Sequence, residues 1–247
     1  MKQLLHLLSY PLSVIYYLAF GSVLAIFHPI QWFCFNVFGY QAHKKSVDYM
    51  NFFTVGALRI LGTRFDFSVP NNIPKNVPFI IVTNHQSMYD IPPIIWSLRR
   101  FHPKFVSKKE LGKGIPSVSF NLRHGGSVLI DRKNPEQALS KMIEFANYLE
   151  KNNRSGVIFP EGTRSRTGEP KTFHRKGLQT LIQHIPTGYV LPISINNSWK
   201  LQRYGMFPIP LGVHLKFTVH PFIKISDYSS EVIIDTLETQ IKSAIKQ

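Results

Sequence analysis

The sequence predicts an α/β protein: a mixed β-sheet covered by helices, led by an N-terminal membrane-associated helical hairpin. Three observations carry this reading. Residues 3–43 contain no Asp, Glu, Lys or Arg. Beyond the turn-rich stretch Pro70–Pro74, short β-branched runs alternate with segments of helical spacing. The chain has 247 residues and 44% hydrophobic content, enough for one sizeable domain with an appendage. The expected division is residues 1–66 for the membrane-associated helices and 67–247 for the α/β domain.

The first apolar run, Leu4 to Phe27, is long enough for a spanning helix, which needs about 20 residues. His28–Pro29 is expected to interrupt it, because proline removes a helical hydrogen bond. A second run, Ile30 to Tyr40, is too short to span alone and ends at Lys44–Lys45, a pair suited to anionic head groups. Ten of the 32 aromatic residues lie within the first 40, a composition that suits an interface. A signal peptide and a soluble core hairpin are the competing readings. The first has no clear cleavage site to support it. Residues 44–67 repeat apolar positions at three-to-four spacing (Val47, Met50, Phe53, Ala57, Ile60, Leu61) and are predicted helical.

In the α/β part the candidate strands are Val77–Thr83, Lys104–Ser107, Ser127–Ile130, Val157–Pro160, Tyr189–Ile195 and Val213–His220. Helices are predicted near Ile91–Arg100, Pro135–Asn152, Lys176–His184 and Ser230–Lys246. The formal charge of +15 implies an anionic partner: nucleic acid, phosphorylated metabolite or membrane surface. One cysteine, Cys34, excludes an intrachain disulfide and any Cys-based metal centre. No dinucleotide fingerprint or P-loop occurs.

Reactive residue types gather in loops that leave strands. After the first strand comes Asn84–His85–Gln86–Ser87–Met88–Tyr89–Asp90. Histidine is the natural general base near neutral pH, and a carboxylate five residues on can fold back to hold one tautomer. Alternatively Asp90, before Ile91–Pro92, is simply a helix cap. After Val157–Phe159 comes Pro160–Glu161–Gly162–Thr163–Arg164–Ser165–Arg166, a turn projecting one carboxylate and two guanidiniums suited to phosphate. A surface turn laced with salt bridges is the alternative. Between these loops lie Arg99, Arg100, Lys104, Lys108, Lys109 and Lys113, against Glu110 alone. Such a run is usually a solvated face, but Lys108 directly follows a strand.

Four blocks in order, from Phe79 to Ile195, resemble the glycerolipid acyltransferases, specifically the bacterial 1-acylglycerol-3-phosphate (lysophosphatidic acid) acyltransferases. They are Asn84–Asp90 (N-H-x-x-x-x-D), Gly126–Arg132 (with Leu129 in place of the usual Phe), Phe159–Ser165 (F-P-E-G-T-R-S) and Leu191–Ile195. Lys108–Leu111 is similar to a further K-x-E-L element. The resemblance implies acyl transfer to the sn-2 hydroxyl of 1-acylglycerol-3-phosphate, giving phosphatidic acid. The donor it implies is acyl-CoA or acyl carrier protein. His85 would be the base and Asp90 its orienting partner. The acceptor phosphate would be held by Lys108, Arg132 and Arg164, with Glu161, Gly162 and Thr163 at the same site. It further implies no cofactor, no metal, membrane lipids as partners, and a place at the cytoplasmic face of the inner membrane. Nucleic acid is not expected as a partner, since it explains neither the uncharged first 40 residues nor the ordered blocks. Acylation of another lyso-lipid or an amino-acid lipid is the alternative within the class. A membrane-anchored metal hydrolase using His85, Asp90 and Glu161 as ligands is the alternative outside it.

Overall fold

The computed structural model describes residues 2–246. Helix α1 runs Lys2–Ala57 but reverses at Gly39, whose φ of 75° and ψ of −165° lie in a region open essentially to glycine alone. The reversal is visible in what meets across it. Phe27 packs on Phe53 at 5.9 Å, Gln31 Nε2 donates to Met50 Sδ, and Phe35 meets His43. In a straight helix Phe27 and Phe53 would stand about 39 Å apart. The N-terminal element is therefore a hairpin, as the sequence predicts, but its turn is at Gly39 and not at His28–Pro29. Pro29, like Pro11, lies inside continuing helix. The missing hydrogen bond there is offset by packing on either side, where Leu24 and Gln31 are buried.

The first leg lies along the rest of the molecule. Ser13 Oγ accepts from Ile209 N, Tyr16 packs on Tyr89, and Ser117 Oγ donates to the Leu24 carbonyl. Its other face is bare: Leu4, Leu7, Val14, Leu18, Trp32, Phe33 and Phe38 are all exposed. Within Gln3–Leu61 an 18-residue stretch has mean hydropathy 1.7 and only 17% of it is buried, so by length and composition the helix could cross a membrane. A leg packed on protein along one face cannot be ringed by lipid.

Strands follow in the order β1 (Arg64–Ser68), β2 (Phe79–Thr83), β3 (Pro103–Lys108), β4 (Val128–Ile130), β5 (Ser155–Ile158), β6 (Tyr189–Asn196), β7 (His214–Val219) and β8 (Ile223–Lys224). The helices between and after them are α2 (Ile91–Ser97), α3 (Val118–His124), α4 (Pro135–Asn152), α5 (Arg175–Gln183) and α6 (Ser230–Ser243). They build one mixed eight-stranded sheet in the spatial order β1-β7-β6-β2-β5-β3-β4, with β8 pairing β6. Two predictions need correction. Residues 64–67 were expected to continue a helix, yet Gly62 in the left-handed region stops it and Arg64–Ser68 pairs parallel with β7. Phe65 and Phe67 alternate with polar residues, the period of a strand, and Phe67 stacks on Phe217 at 4.7 Å. A division at residues 66/67 therefore falls inside β1. The second concerns Val157–Pro160, where the strand is Ser155–Ile158 and Phe159–Pro160 already belong to the turn.

Burial explains the sheet's central position. Along β2, Phe79 and Ile81 face a core closed by Tyr16, Val47 and Leu58 of the hairpin region and Ile94 of α2. Ile80 and Val82 face a second core closed by Phe145 and Leu149 of α4, Leu178 of α5 and Leu237 of α6. Both faces are covered, so β2 reads as an unbroken apolar run and not as an alternation.

Candidate active site

Strands β2, β3, β4, β5 and β6 are mutually parallel, so the loops leaving them share one rim of the sheet. In open α/β sheets this carboxyl rim is where ligands bind. The topology thus brings together blocks that lie up to 111 residues apart in sequence.

His85 begins the loop after β2. Its Nδ1 lies 2.8 Å from Asp90 Oδ2, which also accepts from the backbone N–H groups of Gln86 (2.8 Å) and Ser87 (3.0 Å). Because that oxygen is an acceptor on every side, Nδ1 carries the proton and Nε2 presents a lone pair. The Asp90 side chain makes no cap hydrogen bond to α2, contrary to the alternative reading of it as that helix's cap. It faces His85 and is also the far half of a capping box, in which Ser87 Oγ accepts from Tyr89 N. The carboxylate is fully buried, whereas the His85 side chain keeps 14% of its surface open. The imidazole stacks on Phe159 at 4.1 Å, fixing its plane from the neighbouring block.

The loop after β5 locks onto the first one. Glu161 Oε1 accepts from His85 N at 3.2 Å, and Ser165 N donates to the His85 carbonyl at 2.7 Å. Gly162 turns the chain at φ +69°, and a Cβ there would stand 3.0 Å from the His174 ring. Arg132, from the loop after β4, donates to the Gly162 carbonyl, joining the second and third blocks. Thr163 is exposed in the same turn. Arg164 and Lys108 are exposed on this rim, and among the described residues neither side chain has a hydrogen-bond or ion-pair partner. The structure therefore joins His85, Asp90, Glu161, Gly162 and Arg132 by contact, and leaves Lys108 and Arg164 as unpaired cations at the margin.

The cationic run of residues 99–113 divides between the two ends of the sheet. Lys104, only 6% exposed, lies at the opposite end of β3, over the Tyr40 ring. Burial, with Arg154 and Lys44 nearby, pulls its ammonium down to about 7. Arg99 and Arg100 stack on Trp96 and Phe101 near that same end. Lys109 pairs with Asp131. Lys108 and Lys113 are the members left free at the rim among the described residues.

Three positioning residues escape a reading by sequence spacing. Asn84 exchanges two hydrogen bonds with the Ile195 backbone, at 2.9 and 2.7 Å, pinning the His85 loop to β6. Gln86 Oε1 accepts from Ser198 N at 2.9 Å, and Ser87 Oγ meets Ser198 Oγ. Asn84, Gln86 and Ser87 all stand in the first block, and polar side chains flanking a histidine there were the available signal.

Glu161 is buried, its Oε2 has no partner among the described residues, and burial pushes its carboxyl up to about 7 against the opposing pull of the His85 and Lys171 N–H groups. The unfolded glutamate ionises near 4.5, so this raised value stabilises the fold fully below that pH and the contribution is lost as pH rises through about 7. Glu161→Gln is neutral throughout. Its melting temperature should rise relative to that of the unsubstituted protein between pH 5 and pH 8. Thermal unfolding at the two pH values checks this; a constant difference would mean the carboxyl is not held neutral. No group of three His, Cys, Asp or Glu side chains among the described residues is arranged to hold a metal ion.

A parallel-stranded rim carrying an oriented histidine beside a Gly-Thr-Arg turn defines an acyltransferase-type α/β domain. The chain belongs to the Acyltransferase family, whose model matches residues 64–196. It is 35% identical over 133 residues to a 1-acyl-sn-glycerol-3-phosphate acyltransferase of Helicobacter pylori, covering 51% of this chain and 54% of that protein. The Borreliella burgdorferi protein of the same name is 27% identical over 190 residues, covering 75% and 73% respectively. The match thus spans about half the length of the first relative and nearly three quarters of the second. The fold is that of the crystal structure of the 1-acyl-sn-glycerophosphate (LPA) acyltransferase PlsC from Thermotoga maritima, with TM-score 0.76, 24% identity, and coverage of 99% and 96%.

Proposed function

We propose that the protein transfers a fatty acyl group from acyl-CoA or acyl carrier protein to the sn-2 hydroxyl of 1-acylglycerol-3-phosphate, giving phosphatidic acid. The observation that carries this reading is the His85 imidazole, held by Asp90 with Nε2 free, on a rim that also bears Arg132, Arg164 and Lys108. His85 Nε2 takes the proton of the sn-2 hydroxyl as its oxygen attacks the thioester carbonyl, and the buried Asp90 stabilises the imidazolium that forms. Collapse of the tetrahedral intermediate expels the thiolate, which recovers the proton from His85. The thioester is already activated and the base is protein-borne, so the reaction uses no metal and no cofactor of the protein's own. A chelator should leave the rate unchanged.

The acceptor has its chain in a bilayer and its head group at the surface. The bare apolar face of the hairpin supports a protein lying on that surface, on the cytoplasmic face of the inner membrane, where acyl thioesters are at hand. A panel of lyso-acceptors, tested with both thioester donors, decides acceptor and donor together. No turnover with any phosphorylated acceptor would overturn the proposal.

Arg164 is the margin cation with the most to contribute, since its planar fork matches a phosphomonoester. Charge-assisted hydrogen bonds are worth about 1.5–3 kcal/mol, so Arg164→Ala should lower kcat/KM for 1-acylglycerol-3-phosphate by about 10–150-fold. Arg164→Lys should restore only part of this. Comparison with monoacylglycerol is the check: equal losses on both acceptors would remove Arg164 from the phosphate site.

A further inference from the structure

The segment after β6 carries apolar surface that neither the sheet nor the rim chemistry uses. Ser198–Gln202 forms a 3-10 helix, and the chain then turns at Gly205 with φ +82°. Tyr204, Met206 and Phe207 are left 49%, 50% and 45% exposed. Isolated apolar residues on a surface need no explanation, but three within four positions of one tight loop form a patch.

This patch is fastened to the first leg of α1. His6 packs edge-on to Tyr204 at 5.0 Å, Tyr10 packs on Phe207 at 5.5 Å, and the Tyr17 hydroxyl donates to the Met206 carbonyl. Ile209 N donates to Ser13 Oγ at 2.8 Å. The loop therefore lies along a leg whose Leu4, Leu7, Leu8, Val14 and Leu18 are exposed. Lys200 and Arg203 flank it, and the Lys200 ammonium lies over the Trp199 ring. Aromatic residues beside an aliphatic tip, flanked by cations, is the composition of a segment seated at the head-group level of an anionic bilayer. The same segment touches the His85 loop, where Gln202 Oε1 accepts from Met88 N and Ser198 meets Ser87.

We infer that the 203–207 loop is a second lipid-inserting element, which enters the bilayer beside the first leg of α1 and holds the mouth of the active site against the membrane surface. This inference rests on the membrane-surface reading of the hairpin given above. With its tip in lipid, the loop sets the depth at which His85 meets an acceptor hydroxyl near the head-group plane, so the acceptor need not leave the bilayer to react.

The test uses the full chain with Cys34→Ala as background and one environment-sensitive thiol probe at a time, at Met206→Cys, at Leu18→Cys on the first leg, or at Glu231→Cys on α6. Vesicles of phosphatidylcholine and phosphatidylglycerol are added, with brominated lipid as quencher. The Leu18 and Met206 probes should both shift to the blue and be quenched, while the Glu231 probe keeps its aqueous emission. Met206→Asp, in an otherwise unaltered chain, should bind these vesicles about tenfold or more weakly. Its turnover of a short-chain acceptor in free solution should be unchanged. A Met206 probe that stays aqueous while the Leu18 probe inserts overturns the inference and leaves the hairpin reading standing. If neither probe inserts, the hairpin reading fails first and the loop's role falls with it. A shift at Glu231 as well would mean uptake without orientation, which also overturns it.

Discussion

His85→Ala should lose at least 10²–10⁴-fold in kcat, the range ascribed to a positioned general base, while keeping its fold and its membrane attachment. The fold should survive because the loop is held by groups other than the imidazole. Asn84 is bonded to Ile195, Glu161 and Ser165 bond to the His85 backbone, and Asp90 keeps its two N–H donors. Circular dichroism and vesicle co-sedimentation should therefore match the unsubstituted protein in the same samples that show no turnover. Folded His85→Ala with activity within about threefold of normal would be too small a loss for a general base and would dismiss the mechanism.

Asp90 should show a divided effect, because its carboxylate has two occupations. Asp90→Asn keeps an oxygen for the backbone N–H groups of Gln86 and Ser87, so the loop should stay closed. It removes the charge that stabilises imidazolium, and kcat should fall by about 10²–10⁴-fold. Asp90→Ala should lose as much activity and also stability. It leaves buried N–H donors unsatisfied, each costing about 1–3 kcal/mol, and breaks the capping box before α2. Denaturant titration alongside single-turnover kinetics separates the two variants. Equal destabilisation by Asn and Ala would mean that Asp90 acts through its charge even in folding.

The reach of the sequence can be judged from particular residues. The His85–Asp90 pair was legible because both partners lie within one turn, where spacing alone brings them close. The interlock of blocks was not legible, since the bonds from Asn84 to Ile195 and from Ser165 to His85 depend on which strands become neighbours. Resemblance to a family supplied the grouping of Lys108, Arg132 and Arg164. In the structure Arg132 bonds to the Gly162 carbonyl, while the Lys108 and Arg164 side chains have no partner among the described residues, because long cations on an open rim are fixed by contact and not by strand position. Helix α4 was read to its ends, Pro135 and Asn152, and in the structure the Asn134 side chain caps it by accepting from Gln137 N. The hairpin turn was misplaced because a proline is the louder signal in sequence. The backbone here reverses where φ is positive, a conformation that Gly39 takes up without steric cost. Strand β1 was hidden by a helical stripe that runs up to Leu61 and by only two alternating phenylalanines beyond it.

The first leg of α1 has a consequence for how the molecule is made. Two of its partners arrive late: Tyr17 waits for Met206, 189 residues later, and Ser13 for Ile209, 196 residues later. At ordinary synthesis rates of about 5–20 residues per second, that interval is roughly 10–40 s. Through all of it this uncharged, aromatic-rich stretch of helix lacks those late partners. Only one of its faces is ever claimed by the finished domain. A bilayer that shelters the leg from the start would then serve as its scaffold during assembly, and the α/β domain would be built downward onto a helix already in place.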